Sequence, residues 1–298
     1  MSEGVSYFAQ LILTGFVLGS IYALVALGFV LIYKATSILN FAQGELLMVG
    51  AYVCFSLTTS FHLPFFAAFL ITVIFSFFFG LLLERVLLRK MIGESIISII
   101  MLTIASSTVL LSLIQIIWGT NTMSFPQFFS DEPIKFFGLF MAEIHLYSLA
   151  LALLSVIGFG FFFKFTSIGL AMRVTSFDQQ VAQTLGISIK KIFAMAWAIS
   201  AVVSSIGGII LGNINGITNS LGHMGLKVFP CAILGGLDSI IGAIVGGFVI
   251  GILENLAGGY LDSILGGGVK EVAPFVILVI VLMIKPRGLF GKQLIERL

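Results

Sequence analysis

Charge is what this sequence has least of. Only 9% of its 298 residues are Asp, Glu, Lys or Arg, against 59% apolar, and a soluble domain carries about a quarter charged residues. Such a composition cannot cover a water-facing surface, so the bilayer is the solvent. Cysteine is equally scarce. Cys54 and Cys231 both lie in apolar stretches, where a small hydrophobe is expected rather than a disulfide framework. The three histidines, His62, His145 and His223, stand singly without the paired spacing of a metal site. No Gly-x-x-x-x-Gly-Lys-Ser/Thr phosphate loop occurs, and the loops are too short to house a nucleotide-binding domain. The chain is therefore not expected to be an enzyme or to hydrolyse ATP, and paired carboxylates or a Ser/His dyad suited to intramembrane catalysis are missing.

What is present is long apolar runs. Gly4 to Tyr33, Leu46 to Leu83 and Ile192 to Leu226 contain no charged residue, and about 20 apolar residues suffice to cross the hydrocarbon core. The first run lacks a basic start and a small-residue cleavage pattern, so it reads as a retained span rather than a signal peptide. Hydropathy, punctuated by Gly, Pro and charge, predicts spans near 7–33, 41–60, 64–84, 95–118, 146–163, 191–212 and 272–284. Residues 226–257 form a further, Gly-broken apolar region. Two short helices or a re-entrant loop are expected there. The expected fold class is all-α, a single polytopic transmembrane bundle over 1–298 with discontinuous helices and roughly 7 to 9 crossings.

Orientation follows from the basic residues, because basic loops stay in the cytoplasm. Twelve of the 15 fall on one set of loops: Lys34, Arg85, Arg89, Lys90, Lys164, Arg173, Lys190, Lys191, Lys285, Arg287, Lys292 and Arg297. The alternate loops hold Lys135, Lys227 and Lys270 beside Glu3, Asp131, Glu132, Glu143, Asp262 and Glu271. This places the N-terminus outside and the C-terminus in the cytoplasm.

Two interruptions mark candidate path residues. In the first half Asn40, Gln43 and Glu45 break the apolar pattern after a cytoplasmic turn; in the second half Gly235, Gly236, Asp238 and Ser239 do so. An ionised side chain in the membrane is costly unless it faces a polar interior, and irregular backbone at that depth survives only beside protein or water. Both sets are therefore expected to border a translocation path. The bland alternative is that Asn40 simply caps the following helix. Paired breaks in corresponding halves are compatible with an inverted repeat. The Gly pairs 15/19, 208/212, 242/246 and 247/251 have the spacing that lets helices approach closely, and internal packing is their expected role.

The longest cytoplasmic excursion, 166–191, looks structured. Asp178 can cap a short helix, Val181, Ala182 and Leu185 share an apolar face, and Gly186 supplies a stop. The polar face of this helix is Gln-rich rather than Lys-rich, which favours docking into a cytoplasmic partner over lying on lipid headgroups.

Three stretches carry a resemblance. Gly28 to Tyr52, with Asn40-Phe41-Ala42-Gln43-Gly44, the loop Arg173 to Lys191, and Gly235 to Asn255 resemble, in order and spacing, the branched-chain amino acid ABC importer permeases of the LivH type. Many of those permeases have His where this chain has Gln43, and Gly where it has Asp238, so Asp238 takes no family role. The resemblance implies an inner-membrane permease paired with a second, similar permease, cytoplasmic ABC ATPase subunits and an extracytoplasmic solute-binding protein. It implies that Arg173, Asp178, Ala182, Leu185 and Gly186 belong to the ATPase-coupling loop. No cofactor is expected on this chain, since ATP and magnesium would be used by the partners, and no nucleic acid is involved. Urea or short amides are alternative cargoes. The rival class is an ion-coupled secondary transporter, which would need a buried coupling carboxylate: Glu45, Asp238 or Glu254.

Overall fold

The computed structural model describes residues 3–91, 93–126, 128, 133–136 and 139–291; Lys292, Arg297, Asp131, Glu132 and the side chain of Lys135 lie outside the description. Six helices among the described residues are long and apolar enough to cross a membrane. They are α1 (Glu3–Thr36), α3 (Phe65–Val86), α4 (Ile96–Trp118), α5 (Glu143–Phe165), α8 (Ile189–Asn215) and α10 (Ile240–Leu265). Between them lie shorter helices: α2 (Gln43–Thr59), α6 (Ser167–Phe177), α7 (Gln179–Thr184), α9 (Leu221–Gly235) and α11 (Val269–Ile284). A 3-10 turn covers Leu88–Met91, and a small antiparallel hairpin pairs Pro133–Phe136 with Leu139–Ala142. The fold is an all-α polytopic bundle.

The region 226–257 is two helices broken after Gly235, one of the two expected arrangements, but the second helix is full-length rather than short. It resolves into the 15-residue α9 and a continuous 26-residue α10, separated only by Gly236–Ser239. Four glycines in α10 do not break it, because each lies where another backbone comes close. A Cβ on Gly242 would collide with the Gly235 carbonyl, on Gly246 with the Cys231 carbonyl, on Gly247 with Ala23 and on Gly251 with Gly19. These glycines permit close packing, which outweighs their weak helix propensity.

The chain divides into two compact units. The first comprises residues 1–30, 129–153 and 227–298. In it α1 packs on α10: Cβ atoms added to Gly15 and Gly19 would sit 2.8 Å from the Cα atoms of Ile252 and Phe248. The rings of Phe16 and Phe248 stack at 4.6 Å. Asn255 Nδ2 donates to the Leu11 carbonyl at 2.7 Å, which satisfies a polar group that the membrane interior would otherwise penalise.

The second unit comprises residues 31–128 and 154–226, with α8 running between α2 and α3. Gly208 lies against the Leu47 carbonyl, Gly50 against Ser205, and Gly80 against Trp197 and Ala198. Ser76 Oγ donates to Ser205 Oγ at 2.6 Å and so links α3 to α8. The outer face of α3 exposes Phe66, Phe75 and Phe78, as a lipid-facing surface should. Near Glu84, which is fully buried, Arg89 donates through Nη2 at 2.9 Å and through Nε at 3.3 Å, so that buried carboxylate is charge-paired.

Candidate translocation and coupling sites

The first interruption builds a buried polar joint in the second unit. Asn40 does not occupy the N-cap itself, since Ala42 does. Its Oδ1 instead accepts the Ala42 N–H at 3.1 Å, and its Nδ2 donates to Gln43 Oε1 at 3.1 Å. Gln43 in turn donates to Ser200 Oγ at 2.9 Å and to Ser204 Oγ, and accepts from Ser200 Oγ at 3.0 Å. All four side chains are buried. The start of α2 is thus fixed to α8 by an amide whose oxygen and nitrogen are both engaged, which a buried amide requires.

Glu45 points elsewhere. Two residues on from Gln43 it lies on the other side of the helix, where Ser107 and His223 flank it. One of its carboxylate oxygens is buried without a hydrogen-bond partner. Here the 218–225 segment crosses α2 at backbone contact: a Cβ on Gly44 would collide with the Gly222 carbonyl, and one on Gly225 would come within 2.6 Å of Gly44 Cα. Tyr52 OH donates to Asn219 Oδ1 at 3.2 Å beside this crossing.

The second interruption lies in the first unit. Gly236 has φ +101°, a conformation that favours glycine, and its N–H donates to the Ala232 and Ile233 carbonyls at 3.0 Å. Ser239 restarts the chain by accepting the Gly242 N–H at 2.9 Å. The carbonyls of Leu234 and Gly235 accept from Leu289 and Phe290 at 2.8 and 3.1 Å. Gly235 and Gly236 are buried and Asp238 is exposed. The structure thus brings Asn40 and Gln43 together, turns Glu45 away from them, and stops the Gly235–Ser239 break with residues 288–291.

Sequence reasoning missed one feature of the first unit. Lys227 Nζ lies 2.6 Å from Glu271 Oε2 and 3.6 Å from Glu254 Oε1. Glu254 is 1% exposed, its second oxygen has no partner, and buried Tyr22 faces it. The available signal was a Lys and a Glu of opposite charge within apolar stretches, which in a membrane are expected to pair.

The 166–191 segment is held by its own caps. Thr166 Oγ1 accepts the Gly169 N–H at 3.0 Å to begin α6. Arg173 Nη2 donates to the Lys164 carbonyl at 3.2 Å, and its guanidinium lies 5.8 Å from the Phe163 ring centre, so it braces α6 against the end of α5. Asp178 Oδ1 accepts the N–H groups of Gln180 and Val181 at 2.7 and 3.0 Å. At the other end Gly186, with φ +78°, donates to Gln183 O while Ile187 donates to Ala182 O, both at 2.9 Å. That pair of bonds is a Schellman stop. The expected shared apolar face is split: Ala182 is fully buried, whereas Val181 is 48% and Leu185 67% exposed. One turn apart on a short helix, Val181 and Leu185 form the outward stripe, while Ala182 faces inward.

The fold is an all-α membrane bundle with short helices among its spans and a capped helix carrying exposed apolar side chains, and comparison with known proteins gives its class. The chain belongs to the branched-chain amino acid transport system / permease component family, whose model matches residues 11–284. It is 30% identical over 312 residues, covering all of both chains, to the high-affinity branched-chain amino acid transport system permease protein LivH of Salmonella typhimurium. It is 28% identical over 313 residues, again over all of both chains, to BraD of Pseudomonas aeruginosa. To the probable LivH of Methanocaldococcus jannaschii it is 30% identical over 95% of this chain and 92% of that one. In fold it is similar to a chain of PsaBC from Streptococcus pneumoniae solved in complex with Fab, with TM-score 0.55 and 16% identity over 94% of this chain and 92% of that one.

Proposed function

We propose that this chain is the membrane-spanning subunit of an ATP-driven importer that moves branched-chain amino acids across the inner membrane. ATP is hydrolysed on separate cytoplasmic subunits, and a second, similar permease completes the path. An extracytoplasmic binding protein delivers substrate, and the spans alternate between outward- and inward-open states. The N-terminus is outside and the 166–191 segment is cytoplasmic, in line with the distribution of basic residues. The observation that carries the reading is α7: six residues, capped at both ends, with Val181 and Leu185 exposed. A helix this short does not persist in water on its own. Rigid caps and an exposed apolar stripe suit insertion into a groove of a partner.

A second reading rests on a specific observation. Glu45 and Glu254 are buried and each has an unpartnered oxygen, as an ion-coupled transporter would need of a coupling carboxylate. Cysteine mapping in cells that also produce the ATPase subunits separates the two. Cysteine at Leu185 is expected to crosslink to an ATPase subunit, and cysteine at Asn121 to react with an impermeant thiol reagent in intact cells. Labelling of Asn121→Cys only in broken cells would reverse the orientation. Absence of any ATPase crosslink at Leu185→Cys, with the chain normally inserted, would count against the importer.

A further inference from the structure

We propose that the cleft bounded by α3, α6 and the start of α8 is a binding site for an anionic phospholipid. Its phosphate would lie on Lys191 and the neighbouring hydroxyls, and one acyl chain on the apolar floor. The cleft measures about 500 Å³. Leu81, Ile168 and Met195 form its floor, and Ser167, Ser188 and Lys191 its rim; all six belong to the second unit.

The rim is polar and exposed. Among the described residues neither Lys190 nor Lys191 takes part in an ion pair, and both are exposed. The Ser188 hydroxyl makes no capping hydrogen bond with α8, and Ser167 and Ser188 are both exposed. The Lys191 ammonium on the rim, with Lys190 next to it in sequence and neither in an ion pair among the described residues, favours an anion, and it stands where a span begins, at the level of lipid headgroups.

The floor is apolar and continues into the surrounding surface. Leu82, Phe165 and Leu170 on α3, the end of α5 and α6 are all more than half exposed, so the cleft opens onto side chains that a bilayer covers. A soluble anion would satisfy the rim and leave the floor bare. A protein helix pressed onto the floor would have to desolvate the lysines. A phospholipid meets both demands, because it joins a charged head to a hydrocarbon chain.

Native mass spectrometry of the full chain, released from detergent after equilibration with equimolar dioleoyl-phosphatidylglycerol and dioleoyl-phosphatidylcholine, tests this. The unaltered chain is expected to retain the anionic lipid on the order of tenfold over the zwitterionic one, a preference that falls as salt is raised. Lys190→Gln/Lys191→Gln should bring the ratio close to one, and because both lysines are exposed the variant should insert normally, which its thermal midpoint checks. Met195→Trp, which fills the floor and leaves the charges in place, should lower retention of the anionic lipid about as far. Equal retention of the two lipids by the unaltered chain overturns the site, as does a preference that survives the double lysine substitution. Retention that survives Met195→Trp overturns the acyl-chain seat. Loss of ATPase co-purification in the lysine variant with lipid retention unchanged would assign the lysines to the protein partner instead.

Discussion

Lys227→Met is expected to destabilise the chain by about 3 to 5 kcal/mol, the usual cost of removing one partner of a buried ion pair. The ammonium group bridges two carboxylates of different kinds. Glu271 lies 67% exposed in its side chain and can be solvated when its partner goes, so Glu271→Gln alone should cost under about 1 kcal/mol. Glu254 cannot be solvated. It is 1% exposed with one oxygen already unpartnered, and without Lys227 it would be an uncompensated charge inside a membrane span. Removing that charge should therefore rescue the variant: Lys227→Met/Glu254→Gln is expected to recover most of the loss. Thermal inactivation midpoints in detergent measure both. A double variant as unstable as Lys227→Met, or a single variant as stable as the parent, would show that the pair is not what holds these helices.

Leu185→Glu should abolish ATPase association while leaving the spans intact. At 67% exposure the new carboxylate is hydrated in the isolated chain, so folding has little to lose. In an apolar groove the same carboxylate would lose its water with nothing to replace it, a cost of several kcal/mol, which is enough to reduce binding by orders of magnitude. Ala182 serves as the contrast. It is fully buried within the chain, so a charge there should damage the 166–191 segment itself. Co-purification of ATPase subunits and substrate-stimulated ATP hydrolysis give the readout. Full retention of both in Leu185→Glu would remove α7 from the interface.

The spans were legible because bilayer thickness leaves a simple trace. The charge-free runs and the flanking basic residues marked α1, α3, α4, α5 and α8 to within a few residues of their ends. The caps of α7 were also legible, since Asp178 and Gly186 act on backbone a few positions away. The glycines of 226–257 were legible in kind: the pairs 242/246 and 247/251 pack against neighbouring backbone as their spacing predicts, and the break falls at Gly236–Ser239. What the spacing did not give is that α10 continues unbroken for 26 residues beyond that break. Asn40 shows a limit on a smaller scale: the sequence offered it as a helix cap, but it sits two residues before the N-cap Ala42, and its bond to Gln43, and through it to Ser200 and Ser204 some 160 positions on, was not visible. The inward turn of Ala182 depends on how α7 lies on its neighbours, which a six-residue pattern does not encode. The Lys227 pairing joins α9 to α10 and α11; with Lys227 and Glu271 read as loop charges and Glu254 as a lone candidate coupling carboxylate, the three seemed unrelated.

Leucine uptake into proteoliposomes tests the central claim most directly. The chain would be reconstituted with its partner permease and ATPases, with binding protein outside and ATP inside. Accumulation that requires ATP and the ATPase subunits, and that persists when ionophores collapse the proton and sodium gradients, is the result expected of an ATP-driven importer. Uptake by the permease without ATPase subunits, driven by an imposed ion gradient and lost in Glu254→Gln or Glu45→Gln, would contradict it.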